Sequence, residues 1–259
     1  MREMKKGIFA VIAAGAALSA SPAAAAVGDV ISSFAWSGAR NVYRDAGYVY
    51  CVAGVNTFRT YTVGGSLVRT VSLSGLTDAG DADHSPAGTG YFAVIERSSV
   101  IYEYAVSSGS FVRSIAAGPG TLGGGYFPGS AYVYVHINPF VLRLTTAGSL
   151  VGSFVVSYSA GPLAATNRFD GRAGDYVIVG ARTSGNTMVY TGAGSVVTTF
   201  NVPGTTYGCV CGPGYPSSRG TTYWCNIGVG SSRYAYQVDL GNATAVAPAS
   251  VGKVKALYR

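Results

Sequence analysis

The amino-acid sequence predicts an all-β protein, a single β-propeller of five blades. Three observations lead there. A Gly-led stretch recurs as "GDVISSFAWSG" (28–38), "GSLVRTVSLSG" (65–75), "GSFVRSIAAG" (109–118), "GSLVGSFVV" (148–156) and "GSVVTTFNVPG" (194–204), with a weaker echo in "GNATAVAPAS" (241–250). Aligned on their glycines, the repeats are 37 to 47 residues apart, the length of a four-stranded propeller blade. Charged residues are only 11% of the chain while glycine (37) and tyrosine (19) abound, a mixture suited to short strands and tight turns. No window after residue 26 shows the 3.6-residue periodicity of an amphipathic helix.

The elements follow in chain order. Residues 1–26 read as an export signal: "MREMKK" is the basic start, "GIFAVIAAGAALSA" the apolar stretch and "SPAAAA" the small-residue cleavage region. The apolar stretch is too short and too rich in small residues for a membrane anchor, so no membrane span is expected after cleavage. Residues 27–259 are expected to form the propeller, in the periplasm or outside the cell. Within each unit an innermost strand and loop come first, in 40–47, 81–90, 122–131, 164–175 and 207–214. A "Tyr-apolar" strand follows: "YVYCVAG" (48–54), "YFAVIE" (91–96), "YVYVHIN" (132–138), "YVIVGA" (176–181) and "YWCNIG" (223–228). The third strand is "FRTYTV", "VIYEYAV", "FVLRLTT", "TMVYTG" or "RYAYQV", and a Gly turn leads into the Gly-led fourth.

A ring of blades must close or leave a sheet edge bare. "GNATAVAPAS" carries Pro248 and little β-branched weight, so it is a poor outer strand. The N-terminal "VISSFAW" (30–36) is therefore expected to complete the last blade. Six blades, with an irregular one built from both termini and including 253–258, is the alternative. The repeated units "Y-apolar … G-S-apolar-V-x-(S/T)-apolar" resemble those of secreted bacterial propellers of the NHL or YncE-like kind, over residues 28–250. That resemblance implies a fold and carries no active site with it.

Four cysteines in an exported chain point to two disulfides. Cys209 and Cys211 stand two apart on one strand and share a face, so they do not join each other. Cys211–Cys225 within the last blade and Cys51–Cys209 across the closure seam are the expected bonds. A four-thiolate zinc site is the rival, against the spacing.

Chemistry is sparse. Some carboxylates sit beside glycine or just before it, where Asp stabilises turns. The densest cluster is "DAGDADH" (78–84), where Asp81, Asp83 and His84 are candidate metal ligands, although a solvated acidic turn is the preferred reading of the stretch. His136 reads as a packed strand histidine. No cofactor motif, G-x-S-x-G elbow or paired-carboxylate set is found. Tyr126, Phe127, Tyr207 and Tyr215 lie in irregular loops, outside the repeat, and are the candidate ligand-stacking aromatics. Loss of the leader, with Arg2, Glu3, Lys5 and Lys6, lowers the net charge from +7 to +5. The remaining arginines are scattered, which with export argues against nucleic acid. The expected function is a non-catalytic binding or scaffold module that offers a loop-lined face to a glycan, a protein or a cell-envelope component. The alternative is a hydrolase or lactonase with a site at the axis.

Overall fold

The computed structural model describes residues 26–96, 99–157, 161–181, 184–213 and 221–241. They form twenty strands in five antiparallel four-stranded sheets, with no helix among the described residues. Blade 1 is β2 (Tyr43–Arg44), β3 (Val49–Ala53), β4 (Thr57–Tyr61) and β5 (Leu67–Ser72). Blade 2 is β6 (Ala79–His84), β7 (Tyr91–Glu96), β8 (Val100–Ala105) and β9 (Phe111–Ala116). Blade 3 is β10 (Gly123–Gly125), β11 (Tyr132–Ile137), β12 (Phe140–Thr145) and β13 (Leu150–Val155). Blade 4 is β14 (Leu163–Phe169), β15 (Arg172–Gly180), β16 (Asn186–Thr191) and β17 (Val196–Asn201). Blade 5 takes β18 (Thr205–Pro213), β19 (Thr221–Val229) and β20 (Ser232–Asp239), then returns to the N-terminus for β1 (Val30–Trp36) as its outermost strand. The ring is thus five-bladed and closed by β1, as expected, with Ser33 opposite Tyr236 and Trp36 opposite Arg233. The segments 242–250 and 253–258 and the leader up to residue 25 lie outside the described residues.

The repeat is explained by its turns. All six aligned glycines have positive φ, between +71° and +95°, a region closed to residues with a Cβ. In blades 1, 3 and 4 the turn reads T-x-x-G-S. The hydroxyl of Thr62, Thr145 or Thr191 accepts the amide of Ser66, Ser149 or Ser195, while the Gly amide donates to the Thr carbonyl. Local side-chain bonding of this kind fixes hairpin register.

Apolar side chains lie between blades. One cluster joins blades 5, 1 and 2, through Trp36, Tyr61, Trp224, Phe58 and Phe92; others join blades 2 and 3, 3 and 4, and 4 and 5. Phe58 and Phe92 stack across the blade 1–2 seam with centroids 4.2 Å apart. The axis is closed by backbone. A Cβ on Gly123 would meet the Leu163 nitrogen at 2.7 Å, and one on Gly125 the Ala165 nitrogen at 2.6 Å. Only glycine lets β10 lie this near β14.

The cysteine pairing expected from the sequence is corrected here. All four cysteines are buried free thiols. Cys209, Cys211 and Cys225 face the cluster between blades 4 and 5, whereas Cys51 sits in the cluster on the other side of blade 5 with Val210 and Trp224. The blade 5 sheet therefore stands between Cys51 and Cys209. Cys211 is opposite Tyr223, so Cys225 lies on its diagonal, a spacing of roughly 7–8 Å between Cα atoms that is too wide for a disulfide.

Candidate functional site

The stretch around Asp81 is neither a solvated turn nor a ligand cluster. It is the innermost strand of blade 2, and β6 packs on the inner strands of blades 5, 3 and 1. Asp81 and Asp83, each 1% exposed, point from one face of β6 into the axis. Asp81 Oδ1 accepts the amides of Ala82 and Cys209, both at 3.0 Å, and Oδ2 accepts that of Leu163 at 2.9 Å. The amides of His84, Tyr126 and Ala165 face Asp83. Burial pushes both carboxyls well above the usual carboxylate range, and the backbone amides pull them back.

Both Asp81 oxygens are thus occupied by backbone donors, two of them from blades 4 and 5, and Asp83 Oδ1 by the His84 amide, while Asp83 Oδ2 is buried without a hydrogen-bond partner. His84 turns to the other side of β6, its Nε2 2.9 Å from the Cys211 carbonyl and its ring edge-on to Tyr43 at 5.3 Å. Among the described residues, no group of three or more His, Cys, Asp or Glu side chains is placed to hold a metal ion. His136 is a packed strand histidine, buried, with Nδ1 2.9 Å from the Gly161 carbonyl.

The ligand-sized space lies just beyond the end of β6. A cavity of about 540 Å³ is walled by the three loops that lead from the innermost to the second strand in blades 1, 2 and 3. From blade 1 come Tyr43, Asp45, Tyr48 and Tyr50, from blade 2 His84, Ser85 and Gly88–Gly90, and from blade 3 Tyr126, Pro128 and Gly129.

The walls from blades 1 and 2 are braced. Asp45 Oδ1 accepts the amides of Gly47 (2.7 Å) and Tyr48 (2.8 Å), and Oδ2 accepts the Tyr50 hydroxyl. Arg44, buried against Trp224, donates from Nη1 to the Tyr48 carbonyl at 3.0 Å. Ser85 Oγ donates to the buried Glu103 at 2.5 Å, and Arg113 holds the other oxygen of that carboxylate. These two loops are therefore pre-formed.

The cavity presents ring faces and edges from four tyrosines, with a carboxylate and an imidazole beside them. Burial lifts the Tyr43 and Tyr50 phenols well above their usual range, with Asp45 adding to both, so they stay protonated and donate. Burial lowers the His84 pKa, leaving the ring neutral near pH 7. The Cys211 carbonyl can only accept, so Nε2 carries the proton and Nδ1 the lone pair.

Of the aromatics singled out from the sequence, Tyr126 lines the cavity. Phe127 is its stacked neighbour but turns into the core between blades 3 and 4. Tyr207 lies near the start of β18, with the Arg233 guanidinium over its ring at 3.3 Å, and does not line the cavity. Tyr215 lies outside the described residues. Sequence reasoning missed Tyr43, Asp45, Tyr48 and Tyr50. Their signal was "YRDAGYVY" (43–50), the one inner loop with three tyrosines in eight residues.

Fold and cavity together define a five-bladed propeller with a tyrosine-lined pocket at one end of its axis. No protein-family model matches the chain and no curated protein aligns with it. Among solved structures, the glutaminyl cyclase of Myxococcus xanthus superposes with a TM-score of 0.60 at 12% identity, over 83% of this chain and 97% of that one. The BBS1N–ARL6DN complex superposes with a TM-score of 0.45 at 14% identity, over 77% of this chain and 64% of that one. At such identities the likeness concerns the fold alone.

Proposed function

We propose that this is an exported binding propeller that holds a saccharide in the axial cavity. The observation that carries this reading is the composition of the wall: Tyr43, Tyr48, Tyr50 and Tyr126 around one space, with Asp45, His84, Ser85 and Thr89 among them. Sugar rings present apolar C–H faces that stack on aromatic rings and a rim of hydroxyls that need both donors and acceptors. Neutral phenols supply donors, while Asp45 and the lone pair on His84 Nδ1 supply acceptors. A ready-made cavity with anchored loops loses little order on binding.

Calorimetry against a panel of neutral oligosaccharides tests it. Tyr48→Ala, at an exposed position where folding is not at stake, should weaken binding about tenfold, equivalent to about 1.4 kcal/mol. A panel that gives no heat with any saccharide would remove this reading.

An enzyme is the second reading, favoured by the presence of a neutral histidine and a carboxylate–phenol pair in one cavity, Asp45 with Tyr50. The superposition on a glutaminyl cyclase suggests the first substrate to try. Incubation with a peptide that begins with glutamine, followed by mass spectrometry, should leave the peptide unchanged if the protein only binds. Loss of ammonia that depends on His84 would favour the enzyme.

A further inference from the structure

The cavity does not end at its own rim. A second depression of about 410 Å³ runs along the seam between blades 1 and 2, walled by Thr60, Val68, Arg69, Val106 and Ser107, and it shares Tyr48, Tyr50 and Gly90 with the first. Tyr48 forms the ridge between the two. Its side chain belongs to both walls, it is 41% exposed, and its ring meets Tyr50 edge-on at 6.2 Å. An aromatic ring left bare between two depressions is the shape of a stacking platform for a ligand that occupies both.

The two ends differ in charge. The axial end holds Asp45 and neither lysine nor arginine. The outer end holds Arg69, whose Nη1 and Nη2 donate to the Ser107 and Val106 carbonyls across the seam. Those neutral acceptors fix the guanidinium in place without cancelling its charge. Among the described residues Arg69 has no carboxylate partner.

Resting on the saccharide reading above, we infer that the paired depressions around Tyr48 form one extended site for an acidic oligosaccharide, with an uncharged ring in the axial cavity and a carboxylate-bearing ring beside Arg69. The reverse orientation would set the ligand's carboxylate against Asp45. Arg69 is held rigidly, so it can meet an anion without further loss of side-chain freedom.

The test is calorimetry of the full mature protein with neutral tetrasaccharides (of glucose, mannose and N-acetylglucosamine) and with tetrasaccharides that contain uronic acids. The best acidic chain should bind about tenfold more tightly than the best neutral one. The gap should shrink as salt rises from 0.05 to about 0.5 M, because an exposed ion pair is screened. Arg69→Gln should close the gap while neutral binding stays, and Arg69→Lys should keep part of it. Melting temperatures of both variants report whether the seam survives the change, and Arg69→Lys keeps the charge while giving up the two-pronged clasp to Val106 and Ser107. Neutral chains that bind as well as acidic ones, or a gap that survives Arg69→Gln, would overturn the extended acidic site and leave the saccharide reading standing. Absence of binding by every chain would overturn both.

Discussion

Asp81 and Asp83 show how one residue pair can serve a whole ring. Asp81 ties the backbone of blade 2 to the inner strands of blades 4 and 5 without any side chain from those blades, and Asp83 faces backbone amides of blades 3 and 4. Burial raises both pKa values above those of the unfolded chain, and the sign of the pH effect follows. Below about pH 4 both folded and unfolded states hold the protons and no penalty arises. As pH rises, the unfolded chain releases its protons first, so these groups cost stability through the window up to the folded values. The melting temperature should therefore fall between pH 4 and neutrality more steeply in the native protein than in an Asp81→Asn/Asp83→Asn variant. His84, lowered by burial, works in the opposite sense, but it is common to both proteins and cancels in the comparison. The variant should also be less stable at every pH, by about 1–3 kcal/mol at position 81 alone. Both Asp81 oxygens accept amides, and an Asn NH2 would face one of those donors. Equal slopes in a thermal-shift series from pH 4 to 8 would show that these carboxyls stay ionised at all those values.

At the level of strands, the alternation of faces decides what the cysteines can do. Cys209 and Cys225 are directly opposed in the β18–β19 pair and both are fully buried. Opposed residues in an antiparallel pair have Cα atoms about 4.5–5.5 Å apart, inside the range a disulfide spans. If the chain is refolded with a glutathione redox couple, peptide mapping should find Cys209 joined to Cys225, with Cys51 and Cys211 as free thiols. Burial holds the Cys51 thiol up at about 12, so in the folded protein it should resist alkylation at pH 8. A bond from Cys51 to Cys209 would mean that the two faces of blade 5 are exchanged.

The same alternation marks what the sequence made legible. The Gly-led repeat located every outer hairpin because positive φ and the T-x-x-G-S bonds are local properties of a few adjacent residues. The innermost strands also overlap the predicted windows, β2 and β10 lying inside them and β6, β14 and β18 starting slightly earlier. Which face of β18 looks toward blade 1 is not local; it depends on ring closure, and so the cysteine pairing failed. The site was harder still. Tyr126 stands out because it breaks the repeat, whereas Tyr48 begins a strand in register with Tyr91 and Tyr132 and so looks like any other repeated strand residue. Its role comes from the loops of two other blades, which only folding brings near it.

For the molecule as a whole, the closure by β1 is the point at which the ring is most open to attack. Every other blade is made from contiguous chain, but blade 5 borrows its outer strand from the N-terminal side of blade 1, with the other four blades between them in sequence. Trp36 anchors that strand. Its indole is 6% exposed, packs on Tyr61 of blade 1 at 5.7 Å between centroids, and donates from Nε1 to Asn226 Oδ1 at 3.0 Å. Asn226 in turn donates to the Ala39 carbonyl at 2.9 Å, just past the end of β1. Trp36→Ala removes this packing and leaves a buried amide short of a partner. A loss of about 3–5 kcal/mol at about 2–4 °C per kcal/mol for a chain of this size corresponds to a fall in melting temperature of roughly 10 °C. Deletion of residues 27–36 should do more, since β20 then presents a bare edge that bears Tyr234 and Tyr236, and such edges recruit other chains. The deleted protein should sediment as aggregates or open to protease, and a synthetic peptide of residues 27–38 in excess should restore part of its resistance by refilling the edge. A deleted protein that melts where the native one does would show that the ring holds without its N-terminal strand, and would move the source of its stability to the amide-bound carboxyls on the axis.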